Sequence, residues 1–121
     1  MEIPGIDVEI ALKRLGGDPD IYRAVLKLYV GKMPAELEGL RNVAEESLAR
    51  YSVTIHGIKG NCASIGAMEL REKAERLESA SKAGDLSAVL AENGEFLEDI
   101  EKLVSDIRNW LEGSPQGKTE T

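Results

Sequence analysis

Residues 51–67 read YSVTIHGIKGNCASIGA and contain the only histidine and the only cysteine of the chain. From Leu48 onward, apolar residues recur at spacings of 3, 4, 3, 4 and 3, which is the repeat of a helix with one buried face. The positions in this seam are Leu48, Tyr51, Ile55, Ile58, Cys62 and Ile65. We therefore predict a helix whose seam packs into a core and holds Cys62 as a small buried hydrophobe.

Two further helices are predicted before this stretch. A short amphipathic helix is expected over residues 7–15, closed by two glycines. A long helix follows from the N-cap Asp18, with a proline at its first position, to about Ala44. It crosses Pro34, where we expect a kink because proline lacks the N–H of a helical hydrogen bond. The alternative is two helices divided at Met33.

Helix boundaries in the second half of the chain are marked by capping residues and glycines. Ser47 is predicted to cap the helix of the opening stretch, which Gly66 ends. A fourth helix is predicted over residues 68–83, with its Glu and Arg side chains outward, and a fifth over residues 85–111. The predicted fold class is all-α, an antiparallel four-helix bundle with a short additional N-terminal helix.

One domain is expected from the length of the chain, because 121 residues are enough to bury a single core. We predict the bundle over residues 1–112 and a flexible tail over residues 113–121, which is rich in Gly, Pro, Ser and Thr. No apolar run is long enough to span a bilayer, and residues 1–10 lack the features of a signal peptide. A cytoplasmic location is expected, since a single cysteine cannot form an internal disulfide.

The charge balance and the residue inventory argue against several classes of protein. With 15 Lys and Arg against 22 Asp and Glu, the formal net charge of -7 disfavours binding to nucleic acid. One His and one Cys are too few for a zinc site of the usual ligands. No glycine-rich phosphate loop and no Ser, His and Asp set for hydrolysis is recognisable. A self-contained enzyme is therefore not expected.

His56 lies on the helix face opposite the seam. At about 100° per residue, it stands roughly 130° from the middle of the seam. This face carries small uncharged residues and no acid, although 31% of the chain is charged. Such a surface is typical of a docking site that a partner approaches closely. The predicted partner-binding residues are Val53, Gly57, Gly60, Ala63 and Ser64.

The imidazole and a neighbouring lysine together suggest phosphoryl chemistry. Much of an imidazole is unprotonated near neutral pH, so its nitrogen is a good nucleophile. Lys59, three positions after His56, provides a cation on the same side of the helix. Phosphoryl transfer needs mainly positioning and positive charge against the phosphoryl oxygens. Gly57 and Gly60 keep bulky side chains away from the imidazole.

The segment IHGIKGNCASIGAMEL resembles the signature of histidine-phosphotransfer (HPt) domains, in which a His is followed by a hydrophobe, Lys and Gly, and later by an IGA turn and a Leu. The matching positions are His56, Ile58, Lys59, Gly60, Ile65, Gly66, Ala67 and Leu70. Residues 15–29, LGGDPDIYRAVLKLY, and residues 74–89, AERLESASKAGDLSAV, are similar to the family's entry to its second helix and its turn into the fifth. The resemblance covers most of residues 5–107. Gly57 departs from the Ser or Ala that the family more often has.

The resemblance implies a phosphorelay intermediate, which takes a phosphoryl group from the aspartate of one receiver domain and passes it to another. It implies that His56 is phosphorylated through its outer ring nitrogen, that Lys59 steadies the phosphoryl group and that Gly60 leaves room for the receiver. The partners would be receiver domains of response regulators or a hybrid sensor histidine kinase. Magnesium would belong to the receiver, so no cofactor or metal is expected in this chain.

Two other functions stay open. The phosphoacceptor domain of a chemotaxis-type histidine kinase has a similar His-bearing helix and takes its phosphoryl group from a kinase domain. A helical adaptor would only display the uncharged surface to a partner. For the relay protein we expect a monomer that contacts neither nucleic acid nor membrane. It would be free-standing or the cytoplasmic module of a membrane-bound hybrid kinase.

Overall fold

The computed structural model describes residues 3–113, and over this range the chain is helical without strands. The helices are α1 (Val8–Arg14), α2 (Pro19–Glu38), α3 (Leu48–Ile65), α4 (Met68–Lys82) and α5 (Leu86–Glu112). The predicted all-α class is confirmed. Within the described range, no helix is both long and apolar enough to cross a membrane. The predicted tail lies outside the described residues except for Gly113.

The helices contact one another through a shared hydrophobic core. Both α2 and α4 contact α3 and α5, while α1 lies against α2 and α3. The most extensive packing is between α3 and α4. Every seam residue of α3 is at most 5% exposed, so the prediction that this seam faces a core is confirmed. The opposite face of α3 is left at the surface.

The second helix is shorter than predicted. It ends at Glu38 rather than near Ala44, and it is not divided at Met33. Asn42 has a φ of 57°, in the left-handed region, which a right-handed helix cannot continue through. Leu40 is nevertheless fully buried, so the apolar repeat continues past the end of the helix and caused the overprediction.

Pro34 lies inside α2 and leaves one backbone carbonyl without its helical donor. That carbonyl belongs to Val30, four residues earlier. Arg108 of α5 donates from Nη2 to the Val30 oxygen at 3.4 Å. A side chain from a neighbouring helix therefore supplies the hydrogen bond that the proline cannot make.

Of the two predicted helix caps, Asp18 forms as expected and Ser47 does not, and Asp85, where the fifth helix was predicted to start, is also an N-cap. The carboxylates of Asp18 and Asp85 accept hydrogen bonds from the first turns of α2 and α5. Ser47 occupies the N-cap position of α3, but its side chain does not bond to that helix. A 3-10 turn over Glu45–Ser47 precedes α3, and the Ser47 hydroxyl bonds instead to both the N–H and the carbonyl of Ala44, each at 3.0 Å.

The turn from α3 to α4 is fixed by a glycine and by the segment before α1. Gly66 ends α3 with a φ of 86°, which favours glycine. The backbone N–H of Asp7 donates to the Gly66 carbonyl at 2.9 Å. A Cβ on Gly66 would lie 2.5 Å from the Asp7 oxygen, so only glycine allows this approach. The turn sets how α4 returns along α3.

A buried polar link joins α3, α5 and the segment after α2. Asn93 of α5 accepts from the Tyr51 hydroxyl and donates to the Leu40 carbonyl, each at 2.8 Å. Because buried polar groups without partners are destabilising, this arrangement satisfies three groups at once. It holds the first turn of α3 and the residues just after α2 against α5.

Candidate functional site

His56 stands on the exposed face of α3. Its side chain is 67% exposed, and the surface position predicted from the periodicity is confirmed. The neighbouring Ile55 and Ile58 are fully buried and hold the helix to the core. No acidic residue occurs within α3, so any anion beside the imidazole must come from another helix.

A carboxylate from α4 contacts the imidazole. Oε2 of Glu78 lies 2.9 Å from Nδ1 of His56, and the Glu78 side chain is only 4% exposed. The prediction that the Glu side chains of α4 point outward is wrong at this position. Because α3 and α4 pack closely along their length, the packing of two helices sets the position of the carboxylate relative to the ring.

Two lysines complete the surroundings of Glu78. Nζ of Lys59 lies 2.7 Å from Oε1 of Glu78, and Nζ of Lys82 lies 2.9 Å from Oε2. Lys59 also pairs with Oε1 of Glu75 at 2.9 Å. The contact between Lys59 and Oε1 of Glu78 is an ion pair whose angles fall outside hydrogen-bond geometry. The His56 face, predicted to lack acids, is thus bordered by two carboxylates of α4.

Glu78 is ionised at neutral pH in spite of its burial. Desolvation raises the pKa of its carboxyl group, but contacts with Lys59, Lys82 and His56 outweigh this effect and lower the pKa from 4.5 to about 2. The Lys59 ammonium also lowers the pKa of Glu75. Glu78 and Glu75 in turn raise the pKa of Lys59. Both carboxylates and the Lys59 ammonium therefore stay charged.

The contact with Glu78 determines which ring nitrogen of His56 is free. An ionised carboxylate only accepts hydrogen bonds, so Nδ1 of His56 carries the proton in this contact. In the neutral imidazole, Nε2 then has the lone pair. Because Nδ1 faces a buried group, Nε2 lies on the solvent side of the ring. The site offers a nucleophilic nitrogen held in one orientation.

The predicted partner-binding residues follow α3 on both sides of His56. Val53, about one turn before the histidine, is 72% exposed. Three further members are exposed, namely Gly57, Gly60 and Ser64. Ala63 is half-buried, and its carbonyl accepts a hydrogen bond from the Arg14 side chain of α1 at 3.2 Å. The predicted docking residues are therefore uncharged and mostly exposed, while charged side chains of α4 and the Arg14 side chain border them.

Neither glycine beside His56 is explained by packing inside the protein. A Cβ on Gly60 would meet no heavy atom within 4 Å. A Cβ on Gly57 would approach only Oε1 of Glu36, at 3.9 Å, which is ordinary contact. A methyl group would fit at both positions.

The sequence contains a signal for Glu78 that the prediction missed. Ala74, Leu77 and Ser81 are buried and lie on the inward face of α4. Glu78 follows Ala74 by four residues and precedes Ser81 by three, so it falls on that same face. An acid at an inward-facing position requires charged partners, which α3 supplies.

Among residues 3–113, no group of three or more His, Cys, Asp and Glu side chains could hold a metal ion.

Fold and site together define a helical domain that presents one oriented imidazole, held by a buried carboxylate, at its surface. A family model described as the Hpt domain matches residues 24–110, which is more than half of the chain, and the chain belongs to this family. Hpt domains are phosphocarriers of two-component relays and have no kinase activity of their own. No curated protein matched the chain, and neither did any solved structure.

Proposed function

We propose that this chain is a phosphorelay intermediate that accepts a phosphoryl group on Nε2 of His56 and passes it to a second receiver domain. The observation that carries the proposal is the 2.9 Å contact between Nδ1 of His56 and the buried carboxylate of Glu78. This contact leaves Nε2 unprotonated in the neutral ring and turned to solvent, as a nucleophile requires.

The transfer step follows from this geometry. Nε2 of His56 attacks the phosphorus of the receiver's aspartyl phosphate, so that an N–P bond forms and the acyl-phosphate P–O bond breaks. The electron pair of that bond returns to the aspartate as a carboxylate. The Nδ1 proton stays on the ring, which becomes an imidazolium, and the Glu78 carboxylate stabilises the new positive charge. Transfer onward reverses these changes with the aspartate of the next receiver as nucleophile.

Lys59 contributes positive charge beside the reacting nitrogen in this proposal. Its ammonium group is held between Glu75 and Glu78, at 2.9 and 2.7 Å, and is 19% exposed. It keeps Glu78 ionised and in position, and its field opposes the negative charge of an incoming phosphoryl group.

The receiver would dock on Val53, Gly57, Gly60, Ala63 and Ser64. The open space around Gly60 supports this surface, because no residue in the described range 3–113 fills it. Magnesium would come with the receiver, and this chain would need no cofactor.

A four-helix bundle is the scaffold that we propose, with α2, α3, α4 and α5 antiparallel and α1 as the addition. The contacts of α2 and α4 with both α3 and α5 support this arrangement. We further propose that the domain acts as a monomer in the cytoplasm, as a carrier without its own kinase domain. A cytoplasmic setting suits the single buried cysteine.

The source of the phosphoryl group distinguishes this proposal from its two alternatives, the chemotaxis-type phosphoacceptor domain and the helical adaptor. The purified chain is mixed either with a phosphorylated receiver domain or with a histidine-kinase ATP-binding domain and ATP. We expect labelling from the receiver. Labelling from the kinase domain alone would instead identify a chemotaxis-type phosphoacceptor domain. No labelling from either donor, with partner binding unchanged in His56→Gln, would identify an adaptor.

A further inference from the structure

Resting on the proposed function, we propose that Lys82, at the end of α4, binds the phosphoryl oxygens of phosphorylated His56. Lys59, the lysine nearest to His56 in sequence, would stay paired with its two acids. The two lysines would then act differently, one through Glu78 and the other on the phosphoryl group itself.

The first support is that His56 and Lys82 contact the same carboxylate oxygen of Glu78. Nδ1 of His56 and Nζ of Lys82 each lie 2.9 Å from Oε2 of Glu78. The Lys82 ammonium is therefore within two hydrogen-bond lengths of the imidazole ring. The lysine stem is long and flexible, so Nζ of Lys82 can leave the carboxylate and turn toward a group on the same ring.

The second support is that the two lysines differ in exposure and in the number of carboxylates that they contact. The Lys82 side chain is 63% exposed, and Glu78 is its one acidic partner within the described residues. Lys59 is 19% exposed and contacts two carboxylates. Moving Lys59 would break two ion pairs and leave Oε1 of Glu78 without a cation. Moving Lys82 leaves Glu78 in contact with both Lys59 and His56.

The charge of the phosphoryl group supplies the driving force. A phosphoryl group adds about 1.5 to 2 negative charges near neutral pH. On Nε2 of His56 these charges would share one imidazole ring with the Glu78 contact at Nδ1, and the Glu78 carboxylate would repel them. A cation that can leave its acid and turn to the phosphoryl oxygens lowers this repulsion, and Lys82 is the one with a single contact to release.

Neighbouring hydroxyls on α4 are already engaged elsewhere. Ser79 donates to Oε2 of Glu75, and Ser81 donates to the backbone carbonyl of Glu78. Each hydroxyl has one hydrogen to donate and already donates it, whereas an ammonium group has three, so Lys82 is the better donor to the phosphoryl oxygens.

The test begins with phosphorylation by phosphoramidate, a small donor that requires no protein partner. Wild type, Lys82→Gln, Lys82→Arg and Lys59→Gln are phosphorylated, and the phosphoryl group is titrated by ³¹P NMR. Lys102→Gln is the matched control, because Lys102 is an exposed lysine paired with an acid four residues away on α5. Circular dichroism checks that every variant keeps its helices.

We expect Lys82→Gln to raise the titration midpoint of the phosphoryl group by roughly 0.5 pH unit, because a nearby cation favours the more charged form. Phosphohistidine should hydrolyse about threefold faster in that variant, since the loose transition state carries less charge on its oxygens than the ground state. Lys82→Arg should restore most of both values, and Lys102→Gln should match wild type.

If Lys82→Gln left the titration midpoint of the phosphoryl group and its hydrolysis rate unchanged, the inference would be overturned. If the titration midpoint shifted only in Lys59→Gln, the contact would belong to Lys59. Absence of phosphohistidine in the wild type would overturn the inference too. The proposed function fails separately: wild type that reacts with phosphoramidate but with no phosphorylated receiver would refute the relay role while leaving the Lys82 contact measurable.

Discussion

His56 on α3 and Glu78 on α4 meet through a 2.9 Å contact between an exposed imidazole and a buried carboxylate. Neither helix contains the site alone, because α3 provides the nucleophile and α4 provides the charge that orients it. The packing between α3 and α4 therefore sets the chemistry of the ring as well as the stability of the fold.

Replacing Glu78 with Gln should slow phosphoryl transfer while keeping the size of the side chain. A neutral amide no longer fixes the proton on Nδ1 and no longer stabilises the imidazolium, so we expect the transfer rate to fall roughly 10- to 100-fold. Single-turnover transfer from a phosphorylated receiver measures this rate, and ¹⁵N NMR of His56 reports its tautomer.

Glu75→Gln is the matched control for this change. Glu75 contacts Lys59 but not His56, so its loss should have a smaller effect on both measurements. If Glu78→Gln kept the wild-type rate and tautomer, the orienting role of the carboxylate would be refuted.

Acid should remove the stabilisation that Glu78 gives to the fold. Its pKa is lowered from 4.5 to about 2 in the folded chain, so its contribution to the free energy of unfolding is complete above pH 4.5 and is lost as the pH falls toward 2. Wild type should therefore approach Glu78→Gln in stability over this interval. Denaturant unfolding of both proteins at several pH values measures the difference. A gap that stays constant down to pH 2 would contradict the assigned pKa.

A bulky side chain at Gly60 should block the receiver without damaging the helix. A Cβ there enters open space, so Gly60→Phe should fold with equal or higher helix content, yet transfer should fall roughly 100-fold because the partner is held away. Gly94→Phe is the matched control, since Gly94 is an exposed glycine in α5 with nothing within 4 Å of a Cβ. Receiver titration and helix content by circular dichroism are the measurements. Normal transfer in Gly60→Phe would remove Gly60 from the docking surface.

Local signals predicted much of the fold. The seam of α3, the cap at Asp18, the start of α5 next to Asp85 and the stop at Gly66 each depend on residues close in sequence, and each is found as expected. The end of α2 was mispredicted because burial of Leu40 continues the apolar pattern after the backbone has left the helix. Apolar periodicity predicts which side chains are buried. It does not predict the left-handed backbone conformation of Asn42.

The sequence allowed only part of the candidate site to be predicted. His56 could be assigned to the surface because its own helix sets its direction. Its partner Glu78 lies 22 positions away, and pairing the two requires the register between α3 and α4. The same register brings the Oε2 atom of Glu78, which Lys82 contacts, to Nδ1 of His56. Contacts between helices depend on packing, which the spacing within each helix does not determine.

The site of phosphorylation tests the central claim most directly. Wild type and His56→Gln are incubated with a phosphorylated receiver domain, and the position of the label is determined by acid and alkali stability and by NMR of the imidazole. We predict a single acid-labile, alkali-stable phosphoryl group on Nε2 of His56 in wild type and none in the variant. Label that persists in His56→Gln, or that is found on another residue of the wild type, would contradict this account.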